Sequence, residues 1–374
     1  MLLGTHTLIS IAVARRAGIL LVPLAYLQLA TFVHFAFLAK PAMRPALYRA
    51  FVSVPASWFL AGTLLALLVV PFSLLGAPAW LFAVPYAIAF IGLGESLFAR
   101  EEEVDVVLDG THVESLRRHR VGVHADGDAP DTRTLHIVQI TDPHLGAFMS
   151  VARLRAICAR AVARNPDLVL LTGDFLTMES QGDPSLLARA LEPLRSLEGR
   201  TFACFGNHDH EAPAAVRGAL ASAGVRLLVD DMARVDTAVG TLEILGFDFV
   251  WRERQRHVLD VSARFPRTQG VPRVALLHDP GAFRHLPDDT ADLVLSGHTH
   301  GGQLGLLTLG LPHTFVSAFT SIPDHGLWGL GRLRLYVHRG TGHYGFPIRL
   351  GVPSEQSLMR VHVPSAVWSP MASG

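Results

Sequence analysis

Five short apolar runs, each leading into polar side chains, constrain the fold of this chain more than any other feature. They are Leu135–Ile140, Pro166–Asp174, Thr201–Asp209, Pro272–Pro280 and Ala291–His300. Their pattern is typical of buried strands, and helical patterns separate several of them. Strands that alternate with helices favour an α/β layer architecture, in which ligands bind beyond the carboxyl ends of the strands. We therefore expect the five strand ends to contribute to one shared site.

The polar side chains at these strand ends are types that bind transition metals. They are Asp142, His144, Asp174, Asn207, His208, His278, His298 and His300. The set contains no thiolate, whereas structural zinc sites more often use cysteine. Oxygen and nitrogen ligands suit Mn, Fe or Zn. Eight candidates are too many for one tetrahedral ion, and they suit two ions bridged by a carboxylate, as in two-metal hydrolases.

The spacing of the candidates supports a shared site. Two pairs are separated by a single residue: Asp142 with His144, and His298 with His300. In an extended segment both members of such a pair point to the same side, so each pair is predicted to offer two ligands to one site. Glycine precedes three of the candidate ligands, at Gly173, Gly206 and Gly297. A backbone without Cβ would let the chain turn closely beneath the ions.

The five strand ends also carry motifs that resemble the signatures of the calcineurin-like metallophosphoesterases. The motifs are DPHLG (Asp142–Gly146), GDF (Gly173–Phe175), GNHD (Gly206–Asp209), LLHDP (Leu276–Pro280) and SGHTHGGQ (Ser296–Gln303). Their order and spacing agree with that family as well. The resemblance implies a catalytic domain over residues 105–365. The implied fold is a two-sheet β-sandwich flanked by helices, a mixed form of the α/β class (α+β).

The resemblance implies a role for each candidate residue. The expected ligands are, for the first divalent ion, Asp142, His144 and His300, and, for the second, Asn207, His278 and His298. Asp174 is expected to bridge the two ions. His208 is expected to be the catalytic acid, which contacts the phosphate and protonates the leaving oxygen. The implied reaction is in-line attack of metal-activated hydroxide on a phosphorus centre.

Three long apolar runs precede the catalytic domain: Ala17–Ala39, Phe51–Gly76 and Ala77–Phe98. Each is long enough to cross a bilayer, although a buried core would show similar composition. We predict that residues 1–100 form a membrane region with about three transmembrane helices in the inner (cytoplasmic) membrane. Lys40, Arg44 and Arg49 lie between the first two runs, against Arg15 and Arg16 before them. This bias favours a cytoplasmic catalytic domain.

Charge and cysteine content narrow the functional classes. Lys+Arg and Asp+Glu both number 32, so the chain lacks the basic footprint of a nucleic-acid-binding protein. The two cysteines, Cys158 and Cys204, cannot form a disulfide framework and are interpreted as small core residues. The leading hypothesis is a membrane-anchored two-metal hydrolase that cleaves a phosphodiester or pyrophosphate bond in a lipid-linked or nucleotide-linked substrate.

Two alternatives remain open at this point. The C-terminal segment resembles a bacterial membrane-associated branch that includes a UDP-2,3-diacylglucosamine pyrophosphatase of lipid A synthesis. The other alternative is a non-catalytic, metal-binding membrane protein. Outside the motifs, His343, Arg339 and Arg349 are interpreted as surface or structural residues. The charged segment Arg252–His257 is interpreted as a solvated loop.

Overall fold

The fold combines an N-terminal helical region with two β-sheets. The structure is a computed structural model that describes residues 2–17, 21–38, 40–108, 110–119, 132–237 and 240–364. The helical region consists of α1 (Leu2–Ala17), α2 (Leu21–Leu38), α3 (Ala46–Tyr48), α4 (Val54–Ala66), α5 (Val70–Leu74) and α6 (Ala83–Leu97). A π-helical turn (Arg49–Ser53) joins α3 to α4, and a 3-10 helix (Ala79–Phe82) leads into α6.

Two of these helical stretches in the described chain are long and apolar enough to cross a membrane. They are Ala46–Ala66 and Ala79–Leu97, whereas the apolar stretch Val22–Leu38 is shorter. The predicted run Phe51–Gly76 is not one helix, because α4 ends at Ala66 and the chain turns before α5. Of the predicted run Ala17–Ala39, residues 18–20 and 39 lie outside the described part.

Thirteen strands of the described chain form the two sheets. They are β1 (Ala99–Val107), β2 (Val113–Arg118), β3 (Thr132–Ile140), β4 (Leu168–Leu171), β5 (Thr201–Ala203), β6 (Arg226–Leu227), β7 (Asp231–Thr237), β8 (Gly240–Gly246), β9 (Arg273–Leu276), β10 (Leu293–Ser296), β11 (Gly326–Gly331), β12 (Leu333–Val337) and β13 (Ser354–Pro364). The α-helices among them are α7 (Val151–Ala163), α8 (Ser185–Leu191), α9 (Pro213–Ser222), α10 (Arg254–Arg264) and α11 (Phe315–Phe319). Short 3-10 helices cover Glu192–Leu197, His208–Glu211, Pro280–His285, His300–Gly302 and Leu307–Leu309.

Both sheets are mixed, which confirms the predicted two-sheet fold. The strand order is β1-β13-β3-β4-β5-β6 in the six-stranded sheet and β2-β11-β12-β10-β9-β8-β7 in the seven-stranded sheet. Strands β3 to β6 run parallel, and so do β8, β9, β10 and β12. Antiparallel pairs, such as β13 with β3 and β11 with β12, flank these parallel blocks. All five predicted strands therefore lie in parallel blocks, three in one sheet and two in the other.

The main core lies between the two sheets and is built from alternating side chains of both. Its members are nearly inaccessible to solvent and include Ile137, Leu168, Phe202, Ile244, Val274 and Leu293. Helices α7, α8 and α9 cover the outer face of the six-stranded sheet, and α10 packs on the other.

Helix α7 illustrates how the sequence specifies this packing. The Ser150 side chain accepts a hydrogen bond from Arg153 N (3.1 Å) and caps the helix. Its buried stripe is Leu154, Ile157, Cys158 and Ala161. Cys158 and Cys204 are both buried free cysteines, as predicted.

The helical region docks directly on the two-sheet domain through α6. Arg349 N donates to Ser96 Oγ (2.7 Å), and Gly351 N donates to Glu95 Oε2 (2.5 Å). Gly92 allows this close approach, because a Cβ at that position would lie 2.5 Å from Arg349 O. A small apolar cluster of Ala61, Ala89, Leu93 and Ile348 fills the contact.

This docking predicts that Gly92→Ala destabilises the protein. The added methyl group has to displace backbone of the two-sheet domain, and overpacking of this kind costs about 1–3 kcal/mol. Gly94→Ala is the matched control, because a Cβ at Gly94 meets nothing within 4 Å in the same helix. The thermal unfolding midpoint in detergent should fall for Gly92→Ala only. Equal midpoints for the two variants would contradict the docking contact.

Candidate metal centre

The eight predicted site residues all lie where the two sheets meet. Asp142, His144, Asp174, Asn207 and His208 follow β3, β4 and β5, whereas His278, His298 and His300 follow β9 and β10. The predicted site residues therefore lie close together, but they follow strands of two sheets rather than one edge of a single sheet. This is possible because the parallel blocks of both sheets direct their carboxyl ends to the same seam. The backbone N of His298, from one sheet, donates to the Asp142 carboxylate, from the other, at 3.0 Å.

The first group of candidate ligands is Asp142, His144 and His300. Their ligand atoms lie within 4.8 Å of one another, and all three side chains are buried. His144 Nε2 lies 3.1 Å from His300 Nε2, and Asp142 Oδ1 lies 3.4 Å from His300 Nε2. Two ring nitrogens that face each other beside a carboxylate form a set of donors that suits a divalent cation.

The second group is Asp174, His278 and His298, also within 4.8 Å of one another. His278 Nδ1 donates to Thr172 O (2.6 Å), which fixes the ring and leaves Nε2 directed at Asp174 Oδ2, 3.3 Å away. Metal-binding histidines are commonly oriented by such a hydrogen bond from the second ring nitrogen.

Asp174 lies between the two groups. Its Oδ2 is 3.6 Å from His144 Nε2 of the first group and 3.3 Å from His278 Nε2 of the second. Its Oδ1 accepts a hydrogen bond from His208 N (2.8 Å). Asn207 is the residue before His208, and its buried Oδ1 has no hydrogen-bond partner among the described residues. A buried amide oxygen without a partner is costly unless a ligand such as a metal ion satisfies it.

The backbone around the centre is strained rather than extended. Five candidate ligands adopt left-handed conformations, with φ between 45° and 68°: Asp142, His144, Asp174, His298 and His300. The prediction that the i, i+2 pairs share a face of an extended segment is therefore wrong in its geometry. His298 and His300 join different groups, as the resemblance implied. Non-glycine residues in this region cost about 1–3 kcal/mol each and cluster at functional sites.

The three glycines serve the centre in two different ways. Gly173 has a φ of 89°, so it turns the chain as predicted. Gly206 and Gly297 instead leave space for a carboxylate. A Cβ at Gly206 would lie 2.2 Å from Asp174 Oδ1, and one at Gly297 would lie 2.1 Å from Asp142 Oδ2.

The electrostatics of the centre favour ionised carboxylates. Burial alone would raise the pKa of Asp142, but His300, His278 and His144 hold it well below its usual value. The neighbouring histidines have the same effect on the pKa of Asp174. Burial lowers the pKa of His144 to about 3, so this ring is neutral and able to ligate near pH 7. Burial opposes protonation of His278 too, but the Asp174 carboxylate raises its pKa to about 10. A metal ion at this position therefore has to displace a proton.

The side chain of His208 lies beside the first group without belonging to it. Its Nδ1 lies 2.8 Å from Glu211 Oε1, which leaves Nε2 available to a substrate. Its ring lies 5.3 Å from that of His144 and 4.7 Å from that of Tyr344. Tyr344 in turn stacks on His144 at 4.7 Å.

Sequence reasoning missed three contributors to this region. Tyr344 and Glu211 lie outside or beyond the motifs, and only the fold brings them to His208. Asp209 is the last residue of the GNHD motif, so the sequence did contain a signal for its place in the site. Its buried carboxylate accepts hydrogen bonds from the backbone N of Asp174 (2.8 Å), Phe175 (2.9 Å) and Gly206 (2.8 Å). Burial and the charge of Asp174 raise the pKa of Asp209.

Both arginines that were interpreted as surface or structural residues take structural positions. Arg349 is fully buried and donates to His300 O (3.1 Å) and Gly342 O (2.7 Å), so it supports a candidate ligand. Arg339 pairs with the buried Glu355. The segment interpreted as a solvated loop, Arg252–His257, enters helix α10, and Arg254 pairs with Asp279 at 2.9 Å.

Comparison with known proteins agrees with this geometry. Residues 135–302 match the family described as calcineurin-like phosphoesterase. The phosphodiesterase YaeI of Escherichia coli is 30% identical over 251 residues, which cover 66% of this chain and 87% of that protein. The chain belongs to the calcineurin-like phosphoesterase family. It is accordingly an enzyme that hydrolyses phosphoester-type bonds.

Two other relatives of this phosphoesterase carry more specific names. A transmembrane protein with a metallophosphoesterase domain from Danio rerio is 32% identical over 238 residues, covering 59% of this chain and 52% of that protein. The UDP-2,3-diacylglucosamine pyrophosphatase LpxG of Chlamydia trachomatis is 26% identical over 281 residues, covering 60% of this chain and 83% of that protein.

The carboxylate space at Gly297 generates a test of the first ligand group. Gly297→Ala should displace the Asp142 carboxylate and lower the metal content of the phosphoesterase by about one ion per chain. Gly218→Ala is the control, since a Cβ there meets nothing within 4 Å in helix α9. Elemental analysis after dialysis against Mn²⁺ measures both variants. Unchanged metal content in Gly297→Ala would show that Asp142 does not hold an ion.

Proposed function

We propose that this protein is a membrane-anchored, two-metal phosphoesterase that cleaves a phosphodiester or pyrophosphate bond in a lipid-linked substrate. The observation that carries the proposal is the position of Asp174, whose Oδ2 faces one histidine of each ligand group. A carboxylate in that position suits a bridge between two ions. The candidate centre also lies against a region with two helices of membrane-spanning length.

The ligands in this proposal are the ones that the motifs indicate. The first ion would be held by Asp142, His144 and His300, the second by Asn207, His278 and His298, and Asp174 would contact both. Two divalent ions in such a site supply Lewis acidity and lower the pKa of water toward neutrality. Mn, Fe and Zn all suit these donors.

His208 would act on the leaving group. Its Nδ1 is directed at Glu211, and a hydrogen bond there orients the ring. The other ring nitrogen, Nε2, would then contact the phosphate and donate a proton to the leaving oxygen. Tyr344 packs against both His208 and His144 and limits the positions that the His208 ring can take.

The membrane arrangement is proposed from charge and contacts together. The loop between α2 and α4 approaches the catalytic domain, since a Cβ at Gly182 would lie 2.0 Å from Pro41 O. That loop and the helix after it carry Lys40, Arg44 and Arg49, so these charges and the catalytic domain lie on the same side of the helices. The positive-inside rule then favours the cytoplasmic side of an inner membrane for both.

A lipid-linked substrate is favoured by the surface next to the centre. The segment after His300 exposes Leu309, Phe315 and Phe319, each by more than half. Leu304, in the same segment, forms a β-bridge with Gly351. The backbone N of Gly351 donates a hydrogen bond to Glu95 near the end of α6. The exposed apolar side chains therefore lie close to the end of a candidate membrane span. A membrane surface is a partner that would cover them.

A narrower candidate is hydrolysis of UDP-2,3-diacylglucosamine, which the name of the Chlamydia trachomatis relative suggests. Purified protein with Mn²⁺ should be incubated with this nucleotide lipid, with glycerophosphodiesters and with phosphomonoesters, and the products read by mass spectrometry. Release of UMP from the first supports the narrower candidate. Cleavage of the diesters alone supports a phosphodiesterase, and cleavage of monoesters alone contradicts the proposal.

Substitution of Asp174 and His208 separates metal binding from acid catalysis. Asp174→Asn should lose bound metal and activity together. His208→Gln should keep both ions and lower kcat by about 10²–10⁴-fold, the usual contribution of a general acid. The substrate is bis(p-nitrophenyl) phosphate with Mn²⁺, and the control is His112→Gln at an exposed position. Wild-type turnover by either variant would contradict the proposed roles.

A further inference from the structure

A cavity of about 190 Å³ extends from the metal centre to the N-terminal helices. At one end it is lined by His144, a candidate ligand, and by Tyr344, which stacks on it. At the other end it is lined by Leu38 of α2 and by Ala56 and Leu60 of α4. The cavity is therefore continuous between the site of chemistry and two apolar helices.

The size and lining of this cavity suit hydrocarbon. Phe148 and Phe346 also line it, and both pack against the apolar cluster of α4 and α6. A dry apolar cavity of about 150 Å³ is large enough to bind benzene. The cavity here is larger and communicates with the metal centre, so it has room for several carbons of a group attached to the reacting phosphate.

Buried polar side chains also line the cavity, and His34 and Glu179 are two of them. His34 is 9% exposed and Glu179 is 3% exposed, and both line the cavity. His34 Nδ1 and Glu179 Oε2 are buried without a hydrogen-bond partner among the described residues. Leaving such groups unsatisfied costs about 1–3 kcal/mol each. A ligand with a hydroxyl or amide group at this point would satisfy them.

We propose that the cavity binds the hydrocarbon chain of the substrate, which makes the substrate an amphiphilic phosphoester. The phosphate would lie at the metal centre, and the chain would run between α2 and α4. A hydroxyl or amide group on the chain would face His34 and Glu179. The proposal rests on the phosphoesterase function proposed above and adds the place where the hydrocarbon chain binds.

The proposal predicts that turnover depends on chain length. Alkyl p-nitrophenyl phosphodiesters with methyl, butyl, octyl and dodecyl chains differ only in the group that would enter the cavity. For the full-length protein in detergent, kcat/KM should rise about fourfold for each methylene group that is buried, until the cavity is full. Release of p-nitrophenol measures every member of the series in the same way.

Filling the cavity should abolish this dependence. Ala56→Phe places a ring in the helix end of the cavity, where Ala56 is 1% exposed. Ala36→Phe adds the same ring on the exposed face of α2 and is the control for partitioning of long chains into detergent. The ratio of dodecyl to methyl kcat/KM should fall at least tenfold in Ala56→Phe and stay at the wild-type value in Ala36→Phe. Because the ratio compares substrates on one enzyme, a partly inactive preparation does not alter it.

A second variant covers the case in which Ala56→Phe does not fold. Ala147→Leu narrows the cavity from the catalytic-domain wall, and it should also reduce the dodecyl-to-methyl ratio. A wild-type enzyme that cleaves the methyl diester but shows no rise with chain length overturns the cavity proposal alone. A dodecyl-to-methyl ratio that stays at the wild-type value in Ala56→Phe and Ala147→Leu also overturns it. Failure to cleave any diester, the methyl compound included, overturns the proposed function and this inference with it.

The polar groups are tested by a matched pair of substrates. An amide placed within the dodecyl chain should raise kcat/KM over the plain chain in the wild-type protein for at least one position of the amide. Glu179→Ala should remove that gain while keeping the dependence on plain chain length. A gain that persists in Glu179→Ala would overturn the assignment of the polar group.

Discussion

The position of one carboxylate, Asp174, governs the rest of the centre. Its Oδ2 faces His144 and His278, while its Oδ1 is held by the backbone N of His208. The backbone N of Asp174 is itself fixed by Asp209. Because Gly206 carries no side chain, the carboxylate can lie against the neighbouring strand end. Moving this group would disturb histidines from both sheets at once.

Arg349 forms hydrogen bonds with both the candidate metal centre and the helical region. Its buried guanidinium donates to the carbonyl oxygens of His300 and Gly342, while its backbone N donates to Ser96 of α6. An arginine can satisfy several acceptors from one planar group, so a single residue ties a candidate ligand to a helix that packs beside it. The burial also lowers the pKa of Arg349 to about 9, a measure of how far the charge is removed from water. The geometry of the site thus depends on the docking of the helices.

The sequence was sufficient to predict the two-sheet fold, the eight site residues that the structure brings together and the buried cysteines. The fold and the site residues were predicted from strand-end motifs, which are local in the sequence and resemble those of a known family, whereas the cysteines were predicted from their apolar surroundings. It was not sufficient to place Tyr344 and Glu211, because their approach to His208 depends on where loops return in three dimensions. The sequence also could not predict that α4 ends at Ala66, because the apolar composition continues past the point where the chain turns. The left-handed backbone at Asp142 and His300 was hidden too, because neither residue type requires that conformation.

The strain in this backbone also explains why the site lies on a seam between sheets. Five left-handed residues at about 1–3 kcal/mol each approach the net stability of a typical domain, about 5–15 kcal/mol. Loops with few contacts could not hold such conformations. Here each ligand lies within a few residues of the buried end of a strand, and the ligand loops are bound to one another across the seam, as His298 N is to Asp142. The large core between the sheets stabilises the strained loops, and bound cations would offset the remaining repulsion between the carboxylates that these loops bring together.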